Sequence, residues 1–574
     1  GGGGGGGGAA PGIRMARGEA APGGAAPHYD LIIIGAGISG IAGAHFFKQR
    51  HPTKTLLVLE ARDSVGGTWD FFKYPGVRCD SPIYTFGFSF QPWLGERKFP
   101  EARDIREHIE ETMRASDITR HVRYGTRVTR AEIDTVAAGG RPPAWRLEAA
   151  DGSRFTASFV YMCGGYYKYD GGYSPQMPGR QQFNGGPDNV LVHAQAWDGS
   201  VDYRGKNVAI VGSGATAFTM VPAMVKGGAR QVVMVQRSPT YVATHPGRKD
   251  GCVGFLPYAV IRRAYMNWYR ALYNRCRWFP RLSRWDLLRK VRGALPDDAA
   301  ELNPGRAPGA TPARTPQRVL DEHFTPKYAP FDQRVCMVPD GDFFDAMRAI
   351  GTTAPPPGGA PPEDFRRAVV VTGQIDSFTA TGLRMKPGVR LSSPLAARDG
   401  AAVVDAGEGE AVEVPCEVCV MATGFNLQTN FPMGDMRVVV DGVEYSAREH
   451  FVYKSCMLSD VPNFFFCIGY VNNSWTIKSE LLGAYVSDVI GHMDARGAHT
   501  LVARPGGGLD GAELGCVLPL TAGYVDRHRD TLPKVRPPAS GSPWVAPHDY
   551  KLDMKLLSRP GDRFDGEFVR FATS

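Results

Sequence analysis

The sequence predicts an α/β fold of two Rossmann-like units, the second inserted in the first. Two glycine-rich turns carry that prediction: Gly35-Ala36-Gly37-Ile38-Ser39-Gly40 and Gly212-Ser213-Gly214-Ala215-Thr216-Ala217. Each stands between an apolar run and a helical one. A strand-like segment, Val160-Tyr161-Met162-Cys163-Gly164-Gly165, recurs in related form as Val418-Cys419-Val420-Met421-Ala422-Thr423-Gly424. Such strands return a chain to its sheet, so the first unit reads as split in sequence.

Residues 1–28 are rich in Gly, Ala and Pro and read as disordered. The eight opening glycines leave Met15 as a candidate start, and no Arg-rich amphipathic pattern marks a transit peptide. Tyr29 to Ile34 is an apolar-rich run ending at glycine, which predicts a buried parallel strand. Ile38 to Gln49 then reads as a helix and Thr55 to Leu59 as a second strand. Val208 to Val211, the second turn, a helix to about Lys226 and Gln231 to Gln236 repeat that βαβ unit. Pro222 inside the second helix predicts a bend.

The glycines let the chain turn sharply, let the backbone approach a pyrophosphate, and let the helix pack on its strand. The helix N-terminus then offers free N–H groups and a favourable dipole to the phosphates. Ser39 reads as a further phosphate donor or as a neutral small residue. Glu60 lies 25 residues after Gly35, and Arg237 lies 25 after Gly212. An acid at that offset accepts hydrogen bonds from an adenosine ribose; a base there suits a 2′-phosphate. FAD is therefore expected on the first unit and NADPH on the second. Arg237 and Ser238 would take the phosphate bidentately and by a hydroxyl, or stand in solvent. The expected FAD domain comprises 29–165 and 415–500, the NADP domain 166–414, and a C-terminal extension 501–574. Pro/Gly/Ala-rich stretches at 136–144, 303–316 and 353–362 read as surface insertions.

The 574 residues carry a net charge of +8, 43% hydrophobic and 22% charged residues. That is ordinary for a soluble globular chain and gives no sign of nucleic-acid binding. No run of eighteen apolar residues predicts a membrane span. Ten scattered cysteines favour a reducing compartment, read as cytoplasmic with organellar targeting left open. Cys416 and Cys419 form a CxxC in a strand-like run, where positions three apart face opposite sides; no metal is expected.

Residues 66–80 read Gly-Gly-Thr-Trp-Asp-Phe-Phe-Lys-Tyr-Pro-Gly-Val-Arg-Cys-Asp. Gly67, Trp69, Tyr74, Pro75, Gly76 and Asp80 match the long fingerprint of the Baeyer–Villiger flavin monooxygenases, which the chain resembles. A shorter fingerprint appears as Phe183, Gly185, His193, Trp197 and Asp198. Seven residues, not the family's three, separate Gly185 from His193. Tyr166 to Asp170, Gln236 to Tyr241, Asp332 to Pro339 and Asn473 to Thr476 look closest to the ethionamide-activating branch. The resemblance covers nearly all of 29–500.

That resemblance implies FAD contacts from Ser39, Glu60, Thr68, Trp69, Asp80 and Val128, the last through its backbone. It implies NADPH contacts from Arg78, Cys79 and Asp80, from Gly212, Ser213, Gly214, Ala215, Thr216, Ala217 and Phe218, and from Arg237 and Ser238. Tyr84 joins the cofactor-binding set. Arg334 matches the catalytic arginine, with Asp80 holding its guanidinium, and Gln333 stands where the family often has Lys. The implied chemistry is NADPH reduction of FAD, capture of O₂ as a flavin C4a-peroxide, and attack on a ketone to give an ester or lactone. A guanidinium cannot release its proton at working pH, so it suits an anionic oxidant and a developing oxyanion. Oxygenation of sulfides or thiocarbonyls fits as well. His193 and Trp197 read as an interdomain hinge, and Trp475 lines the cavity or packs in the core. Two readings stand beside this one: an N- or S-oxygenating flavin monooxygenase without ketone activity, and a flavin/NADP redox sensor without turnover. A disulfide reductase is disfavoured, because no Cys lies between Tyr29 and Arg78. Oligomeric state is not legible.

Overall fold

The computed structural model describes residues 26–93, 95–135, 142–248, 256–296, 314–348, 366–396, 403–404, 410–505, 514–558 and 569–572. Residues 1–25, and 136–141, 303–313 and 353–362 of the expected insertions, lie outside the described residues.

The first sheet has nine strands. Its centre is His28–Ile34, paired in parallel with Leu56–Leu59 on one side and Arg154–Met162 on the other. Leu31, Ile32 and Ile33 are buried, as a strand covered on both faces requires. Trp145–Ala149 and Val128–Ile133 extend the sheet antiparallel. Phe464–Phe466 joins Arg154–Met162 in parallel, so the chain returns to this sheet late.

The second sheet has six strands in the order Arg390–Leu391, Arg367–Thr372, Gln231–Gln236, Asn207–Val211, Val418–Met421, Val190–His193. All pairings are parallel except at the Arg390–Leu391 edge. Val418–Met421 therefore belongs to the second sheet and not to the first, so the domain boundary expected at 415 falls after Met421. Both Val418–Met421 and Phe464–Phe466 are short apolar runs, and composition cannot tell which sheet each enters. Pro222 lies inside a helix that runs unbroken from Ala215 to Lys226.

The crossings between the domains are 166–173 and 423–428. They run antiparallel, with Gln428 N–H donating to Tyr166 O (3.1 Å), Lys168 N–H to Asn426 O (2.8 Å) and Tyr173 N–H to Gly424 O (3.0 Å). His193 ends an edge strand of the second sheet with its ring against Gly172, Tyr173 and Gly424 of those crossings, whereas Trp197 is buried in that domain's core and does not reach them. Phe183 packs in a neighbouring apolar cluster against Phe378. Cys416 and Cys419 are buried in that same cluster rather than on opposite faces, because the strand begins only at Val418 and alternation does not run through Cys416.

The helix Ile38–Arg50 packs on Trp475–Ala495. Their closest approach is at Gly43 and Gly483, where a Cβ on Gly483 would lie 3.1 Å from Gly43 Cα. The C-terminal extension is fastened to the first domain. Thr500–Ala503 pairs antiparallel with Val569–Ala572. Asp549 caps the helix Tyr550–Leu556 by accepting from two backbone N–H groups. On that helix Asp553 meets Lys478 of Trp475–Ala495 at 3.2 Å, both side chains fully buried. A helical hairpin, Tyr258–Trp278 and Pro280–Ala294, completes the molecule. Among the described residues no helix is long and apolar enough to cross a membrane.

Candidate functional site

One cavity of about 580 Å³ lies between the two sheets and collects most of the residues singled out above. On the first-domain side it is lined by Gly35, Gly37, Ser39, Glu60, Thr68, Trp69, Arg78, Cys79, Asp80 and Val128. On the second-domain side it is lined by Ala215, Thr216 and Arg334.

The first turn is shaped for a tight approach. Gly35 has φ +105°, and a Cβ there would sit 2.7 Å from Cys163 O; one on Gly40 would sit 1.9 Å from Gly35 O. Any side chain at these positions would push the helix off its strand. At Gly37 the nearest atom to a Cβ is Gly67 Cα at 3.9 Å, so a narrow cradle is left open between two glycines at the helix N-terminus. Glu60 accepts the Ala36 N–H at 2.7 Å through Oε2 and the Arg62 N–H at 2.9 Å through Oε1. Burial raises its pKa, and those backbone bonds pull against the rise. Glu60 also lines the cavity, where a carboxylate suits a ribose hydroxyl.

Ser39 shares a hydrogen bond with Ser479 (3.0 Å) and accepts the Trp475 indole N–H at 2.8 Å. Trp475 thus lines the cavity and fixes the Ser39 hydroxyl. Its ring stacks on Tyr166 with centroids 5.4 Å apart. Thr68 bonds Tyr169 at 3.1 Å, and Tyr166 donates to Tyr167 at 2.9 Å. These tyrosines form an aromatic wall. Its members were legible only through resemblance, since tyrosines in a loop carry no spacing signal.

The second turn is open too. Gly212 has φ +143°, with a Cβ position 2.2 Å from Ala422 O, whereas at Gly214 no atom lies within 4 Å. Ser213 donates to Ser238 O at 3.3 Å, which joins the turn to the end of Gln231–Gln236. Arg237 and Ser238 are exposed there, outside the cavity lining. Ala217 and Phe218 are buried in the second core, and Tyr84 is buried against Tyr265, so these three do not line the cavity. Arg78 is engaged by Asp342 of the second domain, Nη2 to Oδ1 at 3.2 Å. Burial lifts the Cys79 thiol well above its usual pKa.

Arg334 precedes the strand Cys336–Pro339, which pairs with Val242–His245. Its Nη1 stands 4.0 Å from Asp80 Oδ2, and its Nη2 donates to Tyr166 OH at 3.3 Å. Nε is buried without a partner. Burial works against its charge. The phenols of Tyr166, Tyr524 and Tyr167 and the Asp80 carboxylate outweigh that and hold its pKa well above the ordinary arginine value. Tyr524 comes from the C-terminal extension, which sequence reasoning left unassigned. Thr521 of that extension holds the Arg334 loop through two bonds to Asp332 O, each 3.0 Å. Among the described residues no group of three or more His, Cys, Asp or Glu is placed to hold a metal.

Two glycine turns, an acid after one and a base after the other, are the pattern of a two-dinucleotide flavoprotein oxidoreductase; the first lines the cavity through Gly35 and Gly37, whereas the second reaches it only through Ala215 and Thr216, with Gly212, Ser213 and Gly214 outside the lining. A family model described as an NAD(P)-binding Rossmann-like domain matches residues 33–96. The chain is 35% identical over 554 residues to the FAD-containing monooxygenase EthA of Mycobacterium tuberculosis, covering 95% of this chain and 98% of the relative. It is 33% identical over 555 residues to EthA of Mycolicibacterium smegmatis, covering 95% and 97%. Two solved structures share the fold. An oxidized steroid monooxygenase bound to NADP has TM-score 0.66 at 20% identity, covering 95% of this chain and 100% of that one. The cyclohexanone monooxygenase from Rhodococcus sp. Phi1 bound to NADP+ has TM-score 0.64 at 16% identity, covering 96% and 100%. The chain belongs to the family of FAD-containing monooxygenases.

Proposed function

We propose that this FAD-containing monooxygenase uses NADPH and O₂ to convert ketones to esters or lactones. The observation that supports the reading most is the Arg334 guanidinium, a permanent cation that lines the cavity beside Asp80. The solved neighbours named for a steroid and for cyclohexanone lend support to a carbonyl substrate.

The cradle between Gly37 and Gly67, with Glu60 at its end, fits the pyrophosphate and ribose of FAD. Gly214, Arg237 and Ser238 fit the corresponding groups of NADPH, Arg237 taking the 2′-phosphate. When bound, FAD accepts hydride from NADPH and supplies the atom at which O₂ is activated. Arg334 favours anionic oxygen over its protonated form and donates to the oxyanion that grows as a carbonyl carbon is attacked. Asp80 and Tyr166 restrain the guanidinium from two sides. Tyr166 and Trp475 line the cavity beside it as an aromatic surface. The scattered cysteines support a cytoplasmic, reducing setting.

The test is product analysis with a cyclic ketone and an aryl sulfide. Ester or lactone from the ketone, lost in Arg334→Ala while NADPH still reduces the flavin, is the expected result. An ester yield unchanged in that variant overturns the reading. Sulfoxide with no ester in the native protein assigns S-oxygenation instead.

A further inference from the structure

The hairpin formed by Tyr258–Trp278 and Pro280–Ala294 does not resemble the rest of the surface. Phe279 breaks the first helix, and Pro280 starts the second at the first helical position. At that bend Trp278 is 67% exposed, Phe279 59%, Leu282 53% and Trp285 61%. A soluble monomer rarely leaves two tryptophans, a phenylalanine and a leucine together in water.

The charge is equally local. From Leu256 to Pro296 the sequence holds nine Arg and one Lys against a single acid, Asp286. That stretch is +9 within a chain whose total is +8, so the remainder of the protein is −1. The modest whole-chain value conceals this concentration. Some of these cations turn inward. Arg262 pairs with Glu480 at 2.6 Å, Arg270 with Asp549 at 3.0 Å, and Arg284 donates to Tyr241 OH at 2.7 Å. At the tip Arg277 and Arg281 are exposed on either side of Trp278 and Phe279. Arg289 lies over the Trp285 ring at 5.5 Å. Asp286 is shared by Arg275 (3.0 Å), Lys290 (3.2 Å) and Arg289 (3.5 Å), so it answers only part of the positive charge.

We propose that this hairpin tip docks on an anionic lipid surface, with Trp278, Phe279, Leu282 and Trp285 entering the headgroup layer and Arg277 and Arg281 pairing with lipid phosphates. Indole rings favour the boundary between water and acyl chains, and guanidinium groups beside them favour anionic headgroups. A second copy of this chain is a poorer occupant, because a two-fold contact would set one +9 hairpin against another. A nucleic acid is poorer too, since Leu282 offers no stacking surface and the apolar residues cap a tip instead of lining a groove. Five residues before Trp278, the same helix sets Tyr273 against Phe331, three residues before Arg334, with ring centroids 5.6 Å apart. Docking would thus hold the cavity close to the lipid whichever reaction it runs.

The test is flotation of the full-length, FAD-loaded protein with vesicles of phosphatidylcholine alone or mixed equally with phosphatidylglycerol, at about 0.05 M and about 0.5 M salt. The expected result is binding to the anionic vesicles that weakens at high salt. Trp278→Ser/Phe279→Ser/Trp285→Ser and Arg277→Glu/Arg281→Glu should each lower the bound fraction about tenfold while retaining FAD, since neither touches the cavity. Native protein that stays with the buffer at low salt overturns the proposal, as does binding unchanged in both variants. A native dimer that the tryptophan variant dissolves assigns the face to a second copy.

Discussion

Arg334 and Asp80 face each other at 4.0 Å across a domain boundary. Asp80 closes the Gly67–Asp80 fingerprint on the first domain, while Arg334 leads into a strand packed on the second. The cation and the carboxylate that restrains it therefore approach only as closely as the two domains do. Replacing Arg334 by Ala should lower kcat for ester formation by about 10²–10³-fold, roughly 3–4 kcal/mol of lost transition-state stabilisation. NADPH-dependent flavin reduction should persist. Rapid-mixing kinetics of the two half-reactions separate these effects.

The two glycine turns should fail differently. Gly35→Ala drives a Cβ into the Cys163 carbonyl and should yield colourless protein without FAD. Gly212→Ala meets the Ala422 carbonyl at 2.2 Å on the other sheet. It should keep the yellow flavin spectrum and raise KM for NADPH. Absorbance of the purified variants, followed by steady-state assay, distinguishes the two.

Arg237→Ala should raise KM for NADPH about ten- to a hundredfold, as expected for one lost charge-assisted contact. KM for NADH should change little. Parallel titrations with both coenzymes check this, and an equal effect on both would place Arg237 away from the 2′-phosphate.

Acid should loosen the first domain near His108, whose ring lies between Trp93 (centroids 4.3 Å apart) and Phe88 (5.9 Å). Burial lowers its pKa from 6.5 to about 4. The unfolded chain takes up that proton first, so the stability is intact above pH 6.5 and is lost as pH falls toward about 4. His108→Phe should remove roughly 2–3 kcal/mol of that acid-dependent loss. Denaturant melts at several pH values report it.

The Lys478–Asp553 pair joins the C-terminal extension to the helix behind Ser39. Lys478→Met leaves the buried Asp553 carboxylate without its counter-charge, with Ser455 still donating to it at 3.4 Å, and should cost about 3–5 kcal/mol of unfolding free energy. Lys478→Met/Asp553→Leu should recover most of it. Thermal melts of the single and double variants decide.

Much of this was legible in one dimension, because glycine sterics are local. A residue confined to φ +105° against a carbonyl shows itself as Gly35 whatever surrounds it. Glu60 followed from a fixed offset to that turn, and Thr68 from the resemblance carried by residues 66–80. The neighbours of Arg334 did not, since Tyr166 is 168 positions away and Tyr524 comes from an extension with no recognisable pattern. Sheet membership of Val418–Met421 was equally hidden: apolar four-residue runs are interchangeable until their partners are known. Arg237 was legible by position, but its exposure leaves its role to chemistry rather than to packing. The charge of the hairpin was countable all along, but a whole-chain average erased it.

The laced crossings at 166–173 and 423–428 limit how the second domain can travel. Two independent tethers would let it tumble; a pair bonded rung by rung resists shear and twisting, and leaves a swing as the easy motion. Arg334 leads into the leaf and Asp80 stands on the frame, while Thr521 pins the Arg334 loop from the frame's side, so any swing would act first on the spacing of the working charge and its restraint.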